Sequence, residues 1–241
     1  MKIIFKNYQN EIDDFSCLPS LDLKDIDREK KVLDYEILNV DDKKIFITNN
    51  DNDELIYFNL NIKLMDLSNI EKYYLSILSK LFTKVSTKNY SYSELNNYID
   101  TYTGQFNINV NVISDIPFLR ISMKTLKKNF NKTVEVWKEV LFETKIDETD
   151  RIKNILSEIR IESNISILNN GHIVSLYRAN SNLSLSSNYI NYMSVNGISF
   201  NMFLNELLNK YDENVIEIFQ NINLSFKQIL NNKNVFYDFF L

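Results

Sequence analysis

The stretch Leu55-Ile-Tyr-Phe-Asn-Leu-Asn-Ile-Lys-Leu64 alternates apolar and polar residues. Successive side chains of a strand point to opposite faces of a sheet, so one face here is apolar and the other carries Asn59, Asn61 and Lys63. Residues 43–48 are interpreted as a second short strand, and the Asn- and Asp-rich cluster 49–53 between the two has the composition of a hairpin loop. We therefore predict an antiparallel sheet with one solvated face.

Two helix starts follow this segment. Ser68 with Glu71 has the spacing of a capping box, in which a serine side chain and a glutamate satisfy the first backbone N–H groups of a helix. Ser91 precedes a second helical segment, and we expect Gly104 to end that helix in a left-handed turn. A turn with an anion nest at 103–105 is the less favoured interpretation.

Alternation returns over 106–112 and 118–123, which predicts two more strands. Beyond Lys127 the apolar residues follow helical spacing almost without interruption up to residue 230. This order of elements predicts an α+β fold, a largely antiparallel sheet with helices packed on one face.

The chain is expected to have three parts. Residues 1–30 show weak periodicity, and Pro19 disfavours helix in the residue before it, so we interpret this segment as a linker or arm. Residues 31–233 are expected to form a single α+β domain. Residues 234–241 are strand-like and end abruptly, and we interpret them as a candidate first strand of a following domain.

Composition excludes several classes of function. With 27 basic and 32 acidic side chains the net charge is −5, which disfavours nucleic acid and membrane partners. Three glycines are too few for a phosphate-binding glycine loop. One cysteine cannot form an intramolecular disulfide, and Met1-Lys-Ile-Ile-Phe is too short to be a signal peptide, so the compartment is unknown and cytoplasmic by default.

No residue stands out as catalytic or as a metal ligand. His172 is the single histidine, and we interpret it as a capping or packing residue. Ser91 has the sequence context of a helix cap, not of a nucleophile. Asp51 and Asp53 lack the full spacing of a calcium loop. An independent enzyme is therefore the least favoured interpretation.

Several short strings support a family resemblance by their order and spacing. They are Leu18-Pro-Ser-Leu-Asp-Leu-Lys-Asp-Ile-Asp-Arg-Glu29, Ser86-Thr-Lys-Asn-Tyr-Ser-Tyr-Ser-Glu-Leu95, Thr101-Tyr-Thr-Gly104, Asp147-Glu-Thr-Asp-Arg-Ile-Lys153, Asn170-Gly-His172 and Gly197-Ile-Ser-Phe200. Together they resemble the presequence-protease branch of the pitrilysin and insulinase zinc metallopeptidases. The resemblance covers nearly the whole chain and corresponds to the third, non-catalytic domain with the linker before it.

The resemblance implies a metallopeptidase domain like that of mitochondrial processing peptidase. In the family, four such domains form two halves that close around a peptide-degrading chamber, and the first domain binds zinc through an inverted His-x-x-Glu-His motif. This sequence lacks the motif, so we expect no cofactor in this chain, zinc in the parent enzyme, and no activity of the chain alone. Gln105 and Ser86 stand where the family usually has glycine, which puts a tight backbone approach at both positions in doubt.

The resemblance thus implies a non-catalytic domain that forms part of the chamber wall. Its expected partners are the zinc-bearing half of the same enzyme, or a partner chain, and a peptide substrate. By analogy with the repeated domains, we expect Tyr102, Gly104, Gln105 and Phe106 to face the chamber. The alternative is a free-standing interaction module or inactive subunit that pairs with a separate zinc-bearing chain.

Overall fold

A computed structural model describes residues 22–25, 34–41, 43–49, 54–64, 66–230 and 234–241. Contacts divide the chain into two units, Met1–Leu33 and Asp34–Leu241. In the first unit, Leu23–Asp25 forms one turn of 3-10 helix, and residues 1–21 and 26–30 of the predicted linker lie outside the described residues. The sheet and the helices belong to the second unit.

The described strands form one six-stranded sheet in the order β1-β2-β6-β3-β5-β4. Their bounds are β1 Glu36–Val40, β2 Lys43–Thr48, β3 Leu55–Lys63, β4 Gln105–Ile113, β5 Ile116–Leu126 and β6 Val235–Phe240. Neighbouring strands are antiparallel except β2 and β6, which are parallel. The predicted α+β class with a largely antiparallel sheet is confirmed.

The last strand, β6, lies inside the sheet. It pairs in parallel with β2 and antiparallel with β3, and Phe239 packs on Phe58 with ring centroids 4.4 Å apart. The strand expected at residues 234–241 is present, and β2 and β3 satisfy the hydrogen-bonding groups on its two edges. The interpretation of these residues as the first strand of a following domain stays a prediction.

The helices follow the expected order. Their bounds are α1 Asn69–Leu81, α2 Tyr92–Tyr102, α3 Phe130–Phe142, α4 Thr149–Asn169, α5 Gly171–Asn180, α6 Leu185–Met193, α7 Ile198–Asn209 and α8 Tyr211–Leu230. Capping boxes at Ser68 and Ser91 are both present, which confirms the two helix starts read from the sequence. No helix in the described part of the chain combines the length and apolar character needed to cross a bilayer.

The end of α2 differs from the prediction. The helix stops at Tyr102, Thr103 is extended, and Gly104 does not have a positive φ, so the left-handed turn expected at Gly104 is wrong. The chain passes directly into β4 because the Gly104 N–H donates to the Lys124 carbonyl oxygen at 2.8 Å. Strand pairing, not a glycine turn, therefore ends the helix.

The helices cover the apolar face of the sheet. Leu119 and Ile121 of β5 and Leu78 of α1 are completely buried in one continuous core. Trp137 of α3 lies edge-on against Phe58, with ring centroids 5.0 Å apart. Burial of this face against the helices orients the sheet. The opposite face carries polar side chains together with aromatic rings such as Phe118 and Phe236, whose centroids lie 5.5 Å apart.

Candidate functional site

The face of the sheet opposite the helices carries polar residues from β3, β5 and β4. We call it the polar face; its members in the three strands are Tyr57, Asn59, Asn61, Arg120, Ser122, Lys124, Gln105, Asn107 and Asn109. Gln105, Asn107 and Asn109 are exposed. β4 is also the edge strand, so no strand of the described residues pairs with its outer side. The N–H and C=O groups of such an edge can accept an added strand.

The four residues predicted to face a chamber do not share one surface. Gln105 lies on the polar face, whereas Phe106 points to the helical side and packs against the core. Tyr102 ends α2, where its ring lies 4.6 Å from that of Tyr98 and its carbonyl oxygen accepts hydrogen bonds from two threonine hydroxyls. Gly104, which lies between Tyr102 and Gln105 in the chain, is exposed. Gln105 is thus the predicted residue that joins the polar face.

A shallow cavity of about 310 Å³ indents the polar face beside Gln105. Tyr57, Ser122 and Lys124 line it together with Phe240 of β6. The Lys124 ammonium lies 5.1 Å from the centre of the Tyr57 ring, a cation–π contact that holds the side chain across two strands. Tyr57 lies within a predicted strand, whereas Lys124 follows the predicted strand 118–123 and joins β5 only in the structure.

Part of the polar face is buried, against the expectation of a fully solvated surface. Asn61 is 0% exposed: its amide nitrogen donates to Asp238, and its oxygen accepts from Arg120 Nε at 2.6 Å. Asn59 donates to the other carboxylate oxygen of Asp238 at 2.7 Å. This network pairs each buried polar group and joins β6 to β3 and β5. It supplies hydrogen bonds and holds neither a nucleophile nor a histidine.

The remaining candidates from the sequence offer no reactive centre in the described residues. Ser91 is a helix cap, and its Oγ donates to the Glu94 carboxylate at 2.7 Å. His172 lies exposed in the first turn of α5, so it does not pack in the core. Asp51 and Asp53 lie outside the described residues.

Metal binding has no support in the described ranges. They contain no group of three or more His, Cys, Asp or Glu side chains that could hold a metal ion. Zinc in a catalytic site needs three protein ligands placed together. These residues therefore do not fit the zinc site of the metallopeptidases that the sequence resembles.

Comparison with known proteins identifies the family. A family model described as "Peptidase M-16C associated" matches residues 3–207. The chain belongs to this family. The mitochondrial presequence protease of Saccharomyces cerevisiae is 28% identical over 213 residues, which are 85% of this chain and 21% of that protein. The predicted resemblance to the presequence-protease branch is confirmed.

Two further similarities extend this assignment. An uncharacterized protein of Borreliella burgdorferi is 31% identical over 243 residues, which are 92% of this chain and 24% of that protein. A protease from Helicobacter pylori of known structure shares the fold, with a TM-score of 0.55 and 14% identity over 87% of this chain and 46% of that one. This peptidase-associated chain spans about a quarter or less of the length of the curated relatives it matches.

Proposed function

We propose that this chain is a non-catalytic domain of a zinc metallopeptidase that degrades peptides. It forms part of the wall of a closed substrate chamber, and zinc hydrolysis takes place on another domain. The zinc-bearing half of the enzyme and the peptide substrate are then its partners. Membership of the peptidase-associated family supports the parent enzyme class.

The observation that carries the proposal is the outer edge of β4, which pairs with no strand of the described residues and lies beside the exposed side chains Gln105, Asn107 and Asn109. A peptide that adds to a sheet edge is held by backbone hydrogen bonds, which are the same for nearly every sequence. Asparagine and glutamine side chains both donate and accept, so Gln105, Asn107 and Asn109 can bond peptide groups in either orientation. Such a surface suits an enzyme that accepts varied peptides.

The chemistry of the polar face also suits a wall domain. In the described residues this face offers hydrogen bonds and a lysine held by a cation–π contact, but no general base next to a nucleophile. This chain therefore binds and positions peptide and leaves the hydrolysis to residues of another domain.

The test is a titration of the isotope-labelled 241-residue chain with an unstructured peptide long enough to span β4, followed by NMR of the backbone amides. We expect shifts along Gln105–Ile113 and none along β1, the strand at the opposite edge of the sheet. The double variant Asn107→Lys, Asn109→Lys should weaken binding about tenfold, and the control Asn39→Lys on β1 should not.

Two results would count against the proposal. Equal shifts at both edges would show that β4 has no special role in peptide binding. Cleavage of the peptide by the purified chain, abolished by a chelator, would show that the hydrolytic site lies here.

A further inference from the structure

A second cavity, of about 510 Å³, lies between α1 and the turn that joins α5 to α6, and it shares no lining residue with the cavity on the polar face. Its lining combines Lys72 of α1 with Ser184, Asn188 and Tyr189 at the start of α6, and with leucines that include Leu64 and Leu67. Neither the family comparison nor the proposed function gives this cavity a role.

Lys72 is the unusual residue of this cavity. Its side chain is buried, with the residue 8% exposed, and the ammonium Nζ donates to Asn188 Oδ1 at 2.7 Å. The same Nζ lies 4.9 Å from the centre of the Tyr189 ring and 5.5 Å from that of Tyr192. Within the described ranges no carboxylate forms an ion pair with Lys72.

Taking an ammonium out of water is unfavourable, and the partners of Lys72 in the described ranges are one amide oxygen and two aromatic rings. Burial accordingly lowers the pKa of the Lys72 side chain. An ammonium has three N–H donors, and Asn188 accepts from one of them. The cavity thus presents donor capacity that an anion would satisfy.

The start of α6 adds to the positive potential of the cavity. Ser184 is the N-cap of this helix, and both Ser184 and Leu185 line the cavity. The first N–H groups of a helix carry a partial positive charge that favours an anion. The buried ammonium and the helix terminus come from different elements and contribute to the same space.

The net charge of the cavity lining limits the charge of a ligand that can bind there. One ammonium balances one negative charge, and Asp66 already contributes a negative charge to the lining, so a ligand with two or more negative charges is disfavoured. Leucine side chains on the lining favour a ligand with an apolar part.

We propose that this cavity binds a small monocarboxylate with an apolar side chain, whose carboxylate pairs with Lys72 at the N-terminus of α6. An N-acylated amino acid or the C-terminal residue of a short peptide has this chemistry. The inference stands on the cavity and on Lys72 and does not depend on the role of β4.

The experiment is an NMR titration of the full chain with N-acetyl-leucine, with the uncharged N-acetyl-leucinamide and with inorganic phosphate. We expect N-acetyl-leucine to shift the amides of Ser184, Leu185 and Asn188, and the amide analogue to bind about tenfold more weakly or not at all. Lys72→Met keeps the length of the side chain and removes its charge, so it should abolish the preference for the acid. Lys80→Met, on the same helix but not on the cavity lining, should leave that preference unchanged.

Three outcomes would overturn the inference. They are equal binding of the acid and the amide by the wild-type chain, tighter binding of phosphate than of N-acetyl-leucine, and unchanged acid preference in Lys72→Met. The first two do not require a variant to fold. A negative result in the peptide titration of β4 would not change the binding of N-acetyl-leucine at Lys72. The two proposals can therefore fail separately.

Discussion

Gly197 and Gly104 both occur in strings that resemble the protease family, but the structure gives the two glycines different roles. A Cβ at Gly197 would overlap the Asn191 carbonyl oxygen and lie 2.5 Å from that of Ile190, so the backbone around Gly197 can approach the end of α6 this closely only with glycine there. A Cβ at Gly104 would lie 3.6 Å from the Lys124 carbonyl oxygen, an ordinary contact.

We therefore predict opposite effects of the same substitution. Gly197→Ala should lower the free energy of unfolding by about 1–3 kcal/mol, because backbone must move to admit the methyl group. Gly104→Ala, at a φ that alanine adopts freely, should raise it by about 0.4–1 kcal/mol through reduced entropy of the unfolded chain. Urea unfolding of both variants measures the difference. A Gly104→Ala variant as unstable as Gly197→Ala would contradict this account.

At the scale of the element, Glu71 links a helix start to a distant helix. Its carboxylate accepts from the Ser68 hydroxyl at 2.7 Å and the Ser68 N–H at 2.8 Å, and from Gln228 of α8 at 2.5 Å. The side-chain hydrogen bond from Ser68, then the backbone one, lowers the pKa of Glu71. The capping box follows from sequence spacing, whereas the contact with α8 does not.

The lowered pKa gives the capping box a pH dependence. A carboxyl group whose folded pKa lies below its unfolded value of about 4.3 contributes stability above that value and loses it as pH falls through the folded pKa. Ser68→Ala should therefore cost about 1 kcal/mol at neutral pH and less in acid, where Glu71 is protonated. Urea unfolding at about pH 7 and about pH 3 compares the two conditions.

The control for this prediction is Ser93→Ala, which replaces an exposed serine inside α2. Alanine has the higher helix propensity, so this variant should change stability little and equally at both pH values. A Ser68→Ala cost that stays constant into acid would mean that the Glu71 carboxylate contributes nothing to the cap.

At the scale of the whole molecule, β6 makes the sheet continuous. It is the inner strand between β2 and β3, and Asp238 brings the carboxylate that satisfies Asn59 and the buried Asn61. The β1–β2 hairpin is connected to the rest of the sheet through this strand.

Removal of residues 234–241 should accordingly destabilise the whole sheet. The deletion leaves the edges of β2 and β3 unpaired, and unpaired edges invite association with other chains. We expect a lower Tm by circular dichroism and aggregates by size exclusion. Leu241→Ala, which keeps all of β6, should melt as the wild type does. A monomeric deletion variant with an unchanged Tm would contradict the central role of β6.

Local patterns were sufficient for much of the fold. The alternation in β3 and β5 and the capping boxes at Ser68 and Ser91 depend on residues close together in the chain, and each of these elements formed as predicted. The polar face could also be anticipated from alternation, which places Gln105, Asn107 and Asn109 on the side away from the core. Its members Tyr57 and Lys124 were missed because each is unremarkable until β3 and β5 pair.

The sequence by itself determined the class of the fold, the starts of the first helices and the family to which the chain belongs. The tertiary structure decided the insertion of β6 between β2 and β3, the burial of Asn61 and the enclosure of Lys72 beside α6. Each of these joins residues more than a hundred positions apart. Periodicity reports which face of an element is apolar, but the partner that covers a given side chain is chosen by packing of the whole chain, where distant polar groups must also be satisfied.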